Sequence, residues 1–213
     1  MNVDRKVLNV YKSILDILQS VNKVKSAEEL MELYVEYLKL QVQISTNKPT
    51  FQICPEGFRY GNCYTYALDL KCPDVFWIKS KEFDWYGSMG FDPGIVTSKK
   101  RVCILNLSEK MLFDSFYQDC EGLNLEVFDR DLLCPAPKCN GFIIYMYKSI
   151  YIKDDYDFHF VRVNADGTLS HRIGFNGIIS PLSCLSDVRK MYKLIGAFEI
   201  VKPVIRERTL YEK

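Results

Sequence analysis

Asp157-Phe158-His159-Phe160-Val161-Arg162-Val163-Asn164-Ala165-Asp166-Gly167-Thr168-Leu169-Ser170-His171 is the stretch that decides the fold. Its two arms alternate side chains around Asn164-Ala165-Asp166-Gly167. A period of two belongs to strands with unlike faces, and a turn glycine supplies the left-handed backbone that a tight reversal needs. The stretch therefore predicts a β-hairpin with strands over 158–163 and 168–173. Both histidines of the chain lie on it, His159 on the first arm and His171 on the second. If the turn pairs Val163 with Thr168, His159 falls opposite Arg172. A one-residue bulge on the first strand brings His171 opposite instead.

Working outward, 101–107, 141–147 and 197–201 are apolar enough to be further strands, with a short one over 125–128. Helices are expected from Asn62 or Cys63 to about Leu70, over 109–120 behind a Ser108 cap, and over 186–194. The segment 74–97 reads as loop-rich. Residues 2–22 carry apolar side chains at helical spacing. Ser26-Ala27-Glu28-Glu29 is a capping box opening a second helix to about Ile44, ended by Asn47-Lys48-Pro49. The organisation expected is a helical hairpin within 1–48, then an α+β domain over 49–213. The hairpin is either a packing element or a surface for a protein partner, over 2–46.

Composition narrows the function classes. With 213 residues and 48% hydrophobic content the chain can bury a core. A net charge of +1 offers no footprint for nucleic acid. No apolar run is long enough for a membrane span. The Met1 end mixes apolar residues with Asp4, Arg5 and Lys6, unlike a signal core. The eight cysteines are too sparse for a disulfide scaffold, so free thiols and a cytoplasmic location, in its own cell or a host's, are expected. Cys134 and Cys139 have zinc-like spacing, yet no second pair or nearby histidine completes four ligands, so neither metal nor cofactor is expected.

Chemistry gathers on Tyr60-Gly61-Asn62-Cys63-Tyr64-Thr65-Tyr66-Ala67-Leu68. A thiol attacks a carbonyl carbon as thiolate, and a helix start or an imidazolium favours that anion. Asn62 is a good N-cap, which places Cys63 at the helix start with its amide facing a developing oxyanion. His159 is the candidate base and His171 the candidate orienting group, as the third member of a triad. Tyr60, Asn62 and Asp157 are candidate supporting residues. The competing readings are a buried structural thiol for Cys63, a core histidine for His159, an exposed hairpin residue for His171 and a turn residue for Asp157. Asn176 is another candidate orienting group, with a tight turn as its alternative. Trp77 and Trp85 are candidates for lining a cleft or for packing.

The order Cys63, then His159 opening a strand, then His171 across a short glycine-bearing hairpin resembles the NlpC family of papain-like cysteine peptidases. The likeness covers about 58–75 and 140–180. It implies a papain-like core in which an antiparallel sheet packs on the cysteine-bearing helix. It further implies Cys63 as nucleophile, His159 as base and His171 as orienting residue, acting on a peptide, isopeptide or amide. Where the family usually has Asp-Cys-Ser-Gly, this chain has Asn62-Cys63-Tyr64-Thr65, and the interval between Cys63 and His159 is longer than in compact members. A non-catalytic protein that binds a partner through the helical hairpin is the alternative expectation, as is an acyltransferase using the same pair.

Overall fold

Arg5–Ser20 (α1) and Ala27–Ile44 (α2) form the expected helical hairpin. In α1, Val7, Val10, Ile14 and Ile17 are buried, one stripe at helical spacing. Ser26 caps α2 by accepting from the Glu29 amide at 3.2 Å. Glu29 answers by taking the Lys25 amide at 2.8 Å, one residue ahead of the cap itself. These positions come from a computed structural model, which describes residues 5–51, 61–83, 92–98, 108–131, 140–150, 157–173 and 177–203.

Beyond the hairpin come Cys63–Ala67 (α3), Asp74–Ser80 (α4), a 3-10 turn at Lys81–Phe83, Ile95–Ser98 (α5) and Glu109–Gly122 (α6). The helices α4 and α5 correct the loop-rich expectation for 74–97, although its middle lies outside the described residues. Trp77 is buried on α4 in the main apolar cluster, so it packs rather than lining a cleft. Trp85 and the strand expected over 101–107 also lie outside them.

Among the described residues six strands follow: Glu126–Asp129 (β1), Phe142–Ser149 (β2), Phe158–Val163 (β3), Leu169–Arg172 (β4), Ile179–Leu182 (β5) and Tyr192–Val201 (β6). They form one sheet in the order β1-β6-β2-β3-β4-β5, and every pairing is antiparallel. The architecture is α+β. The helix expected over 186–194 is only Ser186–Arg189 (α7), because the chain from Tyr192 pairs along the whole of β2. Backbone pairing to a buried neighbour overrides a weak local helix preference.

The sheet separates two apolar clusters. Phe142, Ile144, Met146, Phe158, Phe160 and Phe198 face the helices, in a cluster that also holds Cys63, Tyr64 and residues of α1 and α2. Ile143, Tyr145, Tyr147, Val161 and Ala197 face the other way, towards Val188 of α7. Burial on both faces explains why β2 reads as a continuous apolar run rather than an alternation.

The hairpin register differs from the expected one. Val163 pairs with Leu169 and Val161 with His171, without a bulge between them. The turn spans Asn164 to Thr168, closed by the Asn164 amide on Thr168 O at 2.8 Å, and Gly167 takes φ +82°. His171 is therefore diagonal to His159 on one face, a spacing that two rings can bridge.

Candidate active site

The site begins with the cap of a short helix. Asn62 Oδ1 accepts from the Tyr64 and Thr65 amides at 2.9 and 3.1 Å, while Thr65 Oγ1 accepts from the Asn62 amide at 3.0 Å. This reciprocal box lets a five-residue helix start inside the protein. Gly61 has φ +149°, and a Cβ there would sit 2.6 Å from Thr65 Oγ1, so only glycine fits ahead of the cap. Cys63 is the first residue of α3, as expected, and is 4% exposed.

The sulfur meets the sheet at an edge. Ser149 donates to Asp157 O at 2.8 Å, so Asp157 and His159 turn their backbone groups towards β2, while Phe158 and Phe160 turn theirs towards β4. The β3–β4 ladder reaches only Val161–His171. Cys63 Sγ fills the position beyond it, donating to Phe158 O at 3.9 Å and lying against the Phe160 amide. Among the described residues the thiol bonds to this backbone and not to the imidazole of His159.

His159 and His171 are brought into direct contact. His159 Nε2 lies 2.7 Å from His171 Nδ1, and the rings meet edge-on at 89°. One nitrogen of that pair must carry the proton. Alternation along β3 sends His159 to the face of Tyr147 and Val161, opposite to Phe158 and Phe160. The thiol thus approaches β3 from the helix side and the imidazoles lie on the other side, around one strand end.

Both partners rest uncharged. Burial pushes the Cys63 thiol up to about 12, with the Phe160 amide pulling it down and the Asp157 and Asp92 carboxylates adding to the rise. Burial, and after it the nearby His171, pull His159 down to about 3, while burial also lowers His171. Desolvation acts against the charged form of each group and outweighs the short helix start, which was expected to favour a thiolate.

Asp157 does not touch the imidazole. It accepts from the Tyr192 hydroxyl at 2.7 Å. Tyr192 in turn lies over His159, with ring centroids 5.2 Å apart and planes at 30°. Burial, then Asp157, then the Cys63 sulfur raise the Tyr192 phenol. Tyr192 was missed because 186–194 was read as a helix.

Two further anchors hold the halves of the site together. Arg162 is 1% exposed and donates to Tyr66 O at 3.1 Å, Tyr66 Oη at 3.0 Å, Asp69 Oδ1 at 3.3 Å and Thr50 O at 3.1 Å. Lys202 Nζ holds the other Asp69 oxygen at 2.8 Å. Arg162 could have been found in the sequence, because it shares the inward parity of Phe158 and Phe160. On the other flank, fully buried Asp119 of α6 accepts from the Gly94 amide at 2.6 Å and the Tyr64 hydroxyl at 3.2 Å, while Asn62 Nδ2 donates to Asp92 at 3.2 Å. These bonds tie 92–98 to α3.

Tyr60, Asn176, Cys134 and Cys139 lie outside the described residues. Among the described residues no group of three His, Cys, Asp or Glu side chains is placed to hold a metal ion, and no helix is long and apolar enough to cross a membrane. Comparison with protein-family models, with curated proteins and with solved structures finds no match.

Proposed function

We propose that the chain is a papain-like cysteine hydrolase, a peptidase or amidase acting through a thioester on Cys63. The observation that supports this reading is the 2.7 Å contact of His159 Nε2 with His171 Nδ1. It occupies the far nitrogen of His159 and leaves Nδ1, the nitrogen nearer the β3 backbone, for a thiol lying against that backbone. His159 then carries its proton on Nε2 and donates it to His171 Nδ1.

The chemistry follows from neutral partners. As Sγ attacks the carbonyl carbon, its proton passes to His159 Nδ1, and the bond to His171 steadies the imidazolium. The Cys63 amide, at the first position of α3, faces the developing oxyanion. His159 returns the proton to the departing amine, leaving a thioester. Water then adds to the thioester, giving its proton to His159, and the thiolate leaves and recovers it. An amine in place of water makes the same enzyme an acyltransferase. The substrate class is a peptide, isopeptide or amide, and the steps need only side chains and water.

The test uses the exposed free thiol Cys184 as an internal control. On treatment of the intact chain with p-nitrophenyl acetate, mass mapping should find Cys63 acylated about 100-fold faster than Cys184, with the advantage lost in His159→Gln. Acylation of Cys184 at an equal or greater rate sinks the catalytic reading.

A second reading is a non-catalytic papain-like protein that binds a protein partner through α1 and α2. Two observations favour it. The thiol and imidazole are both buried in uncharged form, as structural groups would be. Leu8, Tyr11 and Leu15 form a stripe on α1 that is 46%, 50% and 56% exposed.

A further inference from the structure

We infer that Tyr192, held by Asp157, is a positioning residue that fixes the ring of His159 in the orientation that bonds His171. The inference rests on His159 as the base of the proposed reaction, but its geometry stands apart from that reaction.

The sheet contains a device that delivers Tyr192 to this place. The β2–β6 register shifts between Met146, which pairs with Gly196, and Tyr147, which pairs with Leu194. Ile195 is the extra residue, a β-bulge. Ala197 faces the Val161 side, so simple alternation would also send 195 and 193 there and put Tyr192 on the helix side. The bulge reverses this: Ile195 packs with the helix-side cluster, and Leu194 and Tyr192 join the side of Val161. Without it the phenol would face away from the histidines.

Once there, the ring is held at both ends. Its centroid lies 5.2 Å from that of His159 with the planes at 30°, and its hydroxyl donates to Asp157 at 2.7 Å. Asp157 is itself pinned to β2 through the Ser149 amide. The groups facing His159 are His171 from β4, Tyr192 from β6 and Tyr147 as its cross-strand partner on β2, with Asp157 bonded to Tyr192 and Cys63 on the opposite face of β3. A flat ring against the imidazole blocks rotation about its outer torsion, which is broad for histidine. When His159 takes a proton, the same aromatic face meets a cation, a favourable contact.

With only two histidines in the chain, long-range 1H–15N imidazole spectra report each tautomer without reference to activity. In the unaltered protein His159 should be a single Nε2–H tautomer. Tyr192→Phe keeps the ring but loses its bond to Asp157, and should shift the His159 signals only part of the way towards a mixture. Tyr192→Leu should give a mixture, with kcat lower by about tenfold and KM nearly unchanged if the protein is an esterase. Asp157→Ala, at an exposed position, should release the phenol and shift the His159 signals in the same direction by less. A single unchanged tautomer in Tyr192→Leu overturns the inference; if that variant does not fold, unchanged signals in Asp157→Ala do so. Absence of esterase activity in the unaltered chain counts against the proposed function alone, because the tautomer still decides the clamp.

Discussion

At the scale of single residues, burial governs the chemistry. His159 and Cys63 are each held in the form that water would prefer least to take away, the neutral one. This has a consequence for stability. The folded chain keeps His159 neutral down to about 3, whereas the unfolded chain takes up that proton near the ordinary histidine value of about 6.5. The unfolded state therefore binds more protons through this window, and acid favours it. The stabilising effect of neutral His159 is whole above about pH 6.5 and is lost as pH falls towards 3. Urea midpoints measured across that range should fall with acidification, and His159→Gln should flatten the fall. A midpoint that falls equally steeply in the variant would assign the acid sensitivity elsewhere. The cysteine and both histidines were visible as candidates in the sequence. Their charge state was not, because desolvation depends on what the rest of the chain places around them.

At the scale of elements, a five-residue helix would not persist in water, and α3 exists through its cap and its packing. The sequence signals for the cap were plain: Gly61 for the backbone and Asn62 for the bonds. Thr65 closing the box from the third position was not anticipated. Asn62→Ala removes the acceptor for the Tyr64 and Thr65 amides inside the protein. It should cost about 1–2 kcal/mol in chemical denaturation, and Asn62→Ser, which restores an acceptor without setting a second carboxylate against Asp92, should recover part of it. A loss under about 0.3 kcal/mol would mean the cap does not hold the helix. The strands show the opposite balance. The β3–β4 hairpin was legible from alternation and its turn glycine, yet its register was off by one pairing, since the loop closes over Asn164 to Thr168. The Ile195 bulge left no local signal, because it is a mismatch between two strands remote in sequence.

At the scale of the whole molecule, Arg162 is the tie between the two halves of the site. It leaves β3 three residues after His159 and reaches Tyr66 and Asp69 at the far end of the helix that Cys63 opens. Asp69 carries both Arg162 and Lys202, so removing the guanidinium strands several buried polar groups at once. Arg162→Ala should cost about 3–5 kcal/mol in urea unfolding, and Arg162→Lys should recover only part of this, because an ammonium lacks the planar fork. Full recovery by lysine would show that charge alone matters there. The α1–α2 hairpin belongs to the same apolar cluster as Cys63 and Phe160, so it supports the site through the core. By itself the sequence determined the helical hairpin, the capped start of α3, the β3–β4 turn and the α+β class, because each rests on contacts between near neighbours in the chain. Tertiary structure alone decided the reach of β6, the position of Tyr192 over His159, the approach of Cys63 to the β3 edge and the neutral state of the pair. Those depend on which distant strand supplies the backbone partner and how much water it excludes, and no short stretch of residues carries that information.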